Sequence, residues 1–193
     1  MINIFFTSSF YLIASIFILI SILGYGKLFN KFILIDNSIK NFKNYFFICG
    51  LIFIGFISII VNFIIPINDY YSILIVGIGI LFYIYFFYIN SNKQTEILFI
   101  FIVIFISYIF SFFAGTNDDY LYHFNTINNY KSLILSEIEH HRMISYNSHW
   151  LFLNSIFTLN IFNPSLFILS SLIYSISIYD FYNMSKLEIK KGF

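Results

Sequence analysis

Five stretches of this chain, residues 5–23, 45–65, 71–89, 97–113 and 164–182, are apolar over close to the length a helix needs to cross a bilayer. A helix rises about 1.5 Å per residue, so about 20 residues span a hydrocarbon core roughly 30 Å thick. Lipid offers no hydrogen bonds, so each spanning segment must satisfy its own backbone amides, and helices do so segment by segment. The chain therefore reads as an all-α integral membrane protein, one membrane domain over residues 1–193 with about five transmembrane helices. Its 60% hydrophobic content and mean hydropathy of +0.86 fit that class, since an average soluble domain is roughly 45–50% apolar. A net charge of +1 gives no electrostatic footprint for nucleic acid. Cys49, the single cysteine, has no partner in the chain and says little about redox compartment.

The lysines predict an orientation, because cytoplasmic loops carry the excess of positive charge. Lys27, Lys31, Lys40 and Lys43 mark the first loop as cytoplasmic, Lys93 marks the third, and Lys186, Lys190 and Lys191 mark the C-terminus. The turn from Pro66 to Tyr70 has one Asp and no Lys or Arg. The alternation places the N-terminus outside, the C-terminus in the cytoplasm, and the long loop of residues 115–154 outside. No positive charge precedes residues 5–23, so that segment reads as a retained anchor rather than a secretory leader.

The long loop holds the rare residues. Ile, Phe, Asn, Lys and Tyr are abundant, which suits an AT-rich bacterial genome and a location in the inner (plasma) membrane. Such a bias gives little weight to Asn or Tyr and more to Arg, which Lys replaces wherever guanidinium geometry is not needed. Arg142 is the only arginine and Trp150 the only tryptophan, and His123, His140, His141 and His149 all fall in the same stretch. Asn117 or Asp118 can cap a helix, to which Leu121, Phe124, Ile127 and the tyrosines give a partly apolar face, so a surface helix lying flat on the membrane is expected here. The stretch after Glu139 begins polar and becomes apolar, as a chain does when it re-enters the bilayer at an aromatic belt.

Each polar cluster admits more than one role. Asp119 and His123 are four apart and share a helix face, while Asp118 points elsewhere. One aspartate could serve as a general base for an acceptor hydroxyl or as a ligand to a divalent metal ion, or the pair could cap a helix. Arg142 presents a fork that suits a phosphate, with His140 or His141 adding a hydrogen bond, and the same cluster suits anionic lipid headgroups. The four histidines could hold a metal, although no HExxH or CxxC spacing is present. Trp150 suits a headgroup-level anchor. Asn62 and Asp180, costly polar groups in or beside apolar segments, are left out of the candidate site. Neither a GxSxG elbow nor a glycine-rich phosphate loop occurs.

The stretches "NDDYLYHFNTINNY" and "HHRMISYNSHWLFLNSIF" together resemble the first large external loop of membrane-embedded glycosyltransferases of the GT-C superfamily. The nearest likeness is to a bacterial branch of polyprenyl-phosphate-sugar transferases with an acidic "D…LYH" motif followed by "LH.R..FNS.W". The likeness covers residues 115–157; elsewhere the agreement is only in apolar character. It implies transfer of a sugar from a polyprenyl phosphate to an external glycan or lipid, as part of cell-envelope glycan biosynthesis. Carried over, it implies Asp118 or Asp119 as base or metal ligand, His123 beside it, and His141 with Arg142 near the lipid phosphate. Asn147 and Trp150 match the second motif without an assigned role, and no cofactor beyond a divalent metal ion is implied. Superfamily members have nine or more spanning helices, so the resemblance implies an N-terminal portion of such an enzyme, completed by further C-terminal helices or a second membrane subunit. The alternative is a non-enzymatic subunit that binds a polyprenyl lipid or an assembly partner through the same loop.

Overall fold

The computed structural model describes residues 2–32, 43–89, 93–110, 124–134, 148–158 and 166–191. Among them the fold is entirely helical: α1 (Ile2–Phe32), α2 (Lys43–Asn62), α3 (Asp69–Ile89), α4 (Lys93–Phe110), α5 (Phe124–Ser132), α6 (Ser148–Phe157) and α7 (Leu166–Lys191). Four helices, within α1, α2, α3 and α4, are long and apolar enough to cross a membrane, which is consistent with a membrane protein. Residues 164–182 fall largely in α7, which is not among the four; its buried Ser171, Ser175 and Asp180 interrupt the apolar sequence.

Local chemistry explains several boundaries. α2 stops at Asn62 because Pro66, lacking an N–H, follows the last turn bonds from Ile64 and Ile65 to the Val61 carbonyl, both 2.9 Å. Asn68 then caps α3, its Oδ1 accepting from the Tyr71 amide at 2.9 Å, and Asp69 sits at the positive end of the helix dipole. α1 runs well past the expected end at Leu23, because Gly24 and Gly26 are packing positions rather than breakers.

α1 is the central helix, with half of its apolar window buried. Gly24 lies so close to α3 that a Cβ there would overlap the Gly79 carbonyl oxygen and come within 2.8 Å of the Tyr83 amide nitrogen. On its other side Gly26 meets the Phe46 backbone of α2, and Gly50 of α2 meets the Ile22 backbone of α1. Small residues at such crossings let backbones approach, which matters in lipid because packing rather than hydrophobic burial holds helices together.

Residue pairs fix the directions. Gly26 with Phe46 and Ile22 with Gly50 make α2 antiparallel to α1, whereas Ser21 with Gly79 and Lys27 with Tyr83 make α3 parallel to it. Tyr11 with Ser107 and Lys27 with Glu96 make α4 antiparallel to α1. Ser107 with Ser171 and Phe99 with Tyr179 make α7 antiparallel to α4. The start of α1, the α2–α3 turn, the end of α4 and the start of α7 therefore share one end of the bundle. The opposite end gathers Lys31, Lys43, Lys93, Lys186, Lys190 and Lys191.

Outward-facing side chains are apolar in rows. Ile48, Ile52, Phe56 and Ile60 on α2, and Ile97, Phe101, Phe105 and Ile109 on α4, recur every four residues and are exposed. Such stripes fit a lipid surround and would be a liability in water.

Candidate functional site

Asp118, Asp119, His123, His140, His141, Arg142 and Asn147 lie outside the described residues. Trp150 belongs to the helical backbone of α6, and its side chain lies outside the description as well. Among the described residues no three His, Cys, Asp or Glu side chains come together as a metal site. The structure thus describes the frame to which the two motif stretches are joined: the end of α4, the short helices α5 and α6, and the start of α7.

Three helices converge where α4 ends. The Tyr11 hydroxyl of α1 donates to the Ser107 carbonyl at 3.3 Å and also contacts the Oγ atoms of Ser107 and Ser171. Ser107 and Ser171 bond each other at 2.7 Å, so α1, α4 and α7 share one hydroxyl cluster. The Ser107 carbonyl is one of the last four of α4, which have no partner within the helix, and Tyr11 supplies one from a neighbouring helix.

α5 docks on the α2–α3 turn. Its C-terminal carbonyls are capped from that turn: the Ile67 amide donates to the Tyr130 carbonyl at 3.1 Å, and the Asn62 Nδ2 donates to the Leu133 carbonyl at 3.4 Å and to Ile65 at 3.2 Å. Lys131 pairs with Asp69 there. Ile127 and Tyr130 are buried, while Asn125, Asn128 and Ser132 face outward. The apolar side chains of this helix that are described are thus turned to the bundle rather than to lipid, as a membrane-surface helix would require. Burial also pushes the Tyr130 phenol above its ordinary pKa, so its hydroxyl stays protonated.

α6 enters the bundle instead of crossing it, for its 10 residues reach only about 15 Å. Phe152 stacks edge-on against Tyr130 of α5, centroids 5.2 Å apart. Leu153 sits over Gly55 of α2, where an added Cβ would lie 3.1 Å from its Cδ2. Gly55 is about 10 Å along α2 from Asn62. Phe152, Ile156, Phe157 and the polar Asn154, Ser155 and Thr158 are all buried; the Ser155 and Thr158 hydroxyls bond back to the carbonyls of Phe152 and Asn154 at 2.6 and 2.7 Å.

At the far end Lys27 pairs with Glu96 and lies 4.5 Å above the Tyr83 ring, joining α1, α3 and α4. Asp180 of α7 accepts from the Asn44 amide and side chain, capping the first turn of α2 from another helix. The two polar residues that stood out as costly, Asn62 and Asp180, therefore cap helix ends. Sequence reasoning missed the two ion pairs and the hydroxyl cluster; the signal it could have used was charge, Glu96 and Lys131 each standing beside apolar residues.

The arrangement is that of a helical membrane bundle with two short helices seated at one end. In comparisons with protein-family models, curated proteins and solved structures, the chain matches none.

Proposed function

We propose that the chain is a membrane-embedded part of a GT-C-type glycosyltransferase that moves a sugar from a polyprenyl phosphate to a glycan or lipid acceptor. The observation that carries this is the seating of α5 on the α2–α3 turn and of α6 against both α5 and α2. His123 directly precedes α5 and Asn147 directly precedes α6, so both motif stretches join the bundle through elements that are packed together. A polyprenyl tail confines the donor to the bilayer and its phosphate to headgroup depth, where the Arg142 fork with His140 or His141 meets it. Asp118 or Asp119, beside His123, takes the proton of the acceptor hydroxyl as its oxygen bonds to the anomeric carbon. The bond from that carbon to the phosphate oxygen breaks, and the polyprenyl phosphate leaves with its charge met by Arg142.

We place the 115–154 end outside a bacterial plasma membrane. Lys31, Lys43, Lys93 and Lys186 belong to the opposite end, and Lys131, on the loop side, is buried against Asp69. α7 completes a fifth crossing in this scheme.

The test uses native membranes, which hold the protein together with whatever completes it, a radiolabelled polyprenyl-phosphate sugar and an acceptor. The Asp118→Asn, Asp119→Asn double variant is expected to insert normally and lose transfer; full transfer by that variant would end the catalytic assignment. Lipid binding that survives the double variant but weakens in Arg142→Ala, with no transfer by the parent protein, would identify a non-enzymatic lipid-binding subunit instead.

A further inference from the structure

We propose that the Asp69–Lys131 ion pair, a buried lysine on a partly exposed aspartate, is a positioning pair, setting the register of α5 on the α2–α3 turn and hence where the first motif stretch and the packed α6 of the second join the bundle. α5 has 9 residues, too few to hold a helix alone in water, so its place is decided by what it touches. Ile127 and Tyr130 supply buried apolar contact, which has little directional preference. Directional contacts tie the C-terminal end of α5 to the α2–α3 turn: the Tyr130 and Leu133 carbonyls take hydrogen bonds from Ile67 and Asn62, and Lys131 reaches Asp69.

The pair is well matched to its surroundings. Lys131 stands in the last turn of α5, at the negative end of that helix, and Asp69 in the first turn of α3, at the positive end of that one. The lysine side chain is 5% exposed and the aspartate side chain 27%. Buried ion pairs are often no more stabilising than apolar residues of similar volume, and their best-attested use is to fix register. In α5 a fixed register has a purpose, because the first motif stretch runs into this helix and the second runs into α6, which packs against it through Phe152 and Tyr130. The pair acts on position and touches neither donor nor acceptor.

The activity arm of the test rests on the proposed transfer reaction, and the distance arm does not. Spin labels are placed at Ile60 of α2 and Asn128 of α5, both exposed, in a Cys49→Ala background, and pulsed electron resonance gives the distance distribution between them. The parent protein and Lys131→Arg are expected to give one narrow distribution. Lys131→Met is expected to broaden it. The Asp69→Leu, Lys131→Met double variant is expected to regain the parent's thermal stability yet stay broad, with kcat lower on the order of a hundredfold and KM for the donor unchanged, as misplacement of a reacting group would produce. A narrow distribution in both Met-containing variants would overturn the proposal, and so would full recovery of kcat in the double variant. If the parent protein transfers no sugar, the transferase reading fails on its own and the distances still decide the role of the pair.

Discussion

Replacing Gly24 by alanine tests the packing at the centre of the bundle. A Cβ at this position would lie 2.8 Å from the Tyr83 amide nitrogen and, nearer still, overlap the Gly79 carbonyl oxygen; ordinary contact begins near 3.4 Å, so clearing the nitrogen alone takes 0.6 Å and clearing the oxygen parts α1 and α3 by more than 1 Å. Both obstacles are backbone atoms of a helix, so no rotamer change relieves them. Even the smaller gap forfeits roughly a quarter to a half of the dispersion energy of the atoms along the seam. Overpacking of this type costs about 3 kcal/mol, the upper end of the usual range. Alanine returns about 1 kcal/mol of helix propensity, leaving a net loss of about 2 kcal/mol. Gly77, two residues from Gly79 on α3, is the internal control: nothing lies within 4 Å of a Cβ there, so Gly77→Ala is expected to gain about 1 kcal/mol. Reversible unfolding in mixed micelles titrated with a denaturing detergent measures both variants. If the two agree within about 0.5 kcal/mol, the usual tolerance between independent sites, the close α1–α3 approach is wrong.

Removing one member of the Lys27–Glu96 pair, whose side chains are 12% and 2% exposed, is expected to cost about 3–5 kcal/mol in the same assay. Lys27→Met combined with Glu96→Leu is expected to recover most of that loss. The orientation is checked in intact cells lacking Cys49: a cysteine at Tyr70, which is 85% exposed, is expected to react with a membrane-impermeant maleimide, and one at Lys186 only after permeabilisation. The reverse pattern would invert the proposed topology.

Four of the five expected apolar spans were legible because length and hydropathy are local properties, and Pro66 marked the α2–α3 turn for an equally local reason. Nothing local marked Gly24 and Gly26 as packing positions, since only the helix lying against a glycine reveals such a contact. α5 and α6 depend on tertiary partners, so periodicity alone could not bound them. The expectation of a membrane-surface helix used Ile127 and Tyr130 correctly as apolar residues but had no means of knowing that the α2–α3 turn would cover them. The polar links were illegible because their members lie far apart, 69 residues for Lys27 and Glu96, 62 for Asp69 and Lys131, and 96 for Tyr11 and Ser107. Arg142 and the histidines were singled out by rarity, a property of the sequence that needs no fold, and their geometry lies outside the described residues.

The Lys27–Glu96 pair also imposes an order in time. Lys27 is synthesised 69 residues before its counter-ion, and at about 5–20 residues per second the ribosome needs roughly 3–14 s to deliver Glu96. Throughout that interval the Lys27 ammonium lacks Glu96 and must snorkel toward the headgroups, holding the helix in a shallower or tilted pose. Arrival of α4 removes the reason for that pose and lets α1 settle to its final depth. A nascent chain halted before Glu96 would therefore hold α1 in the membrane but not yet in its place.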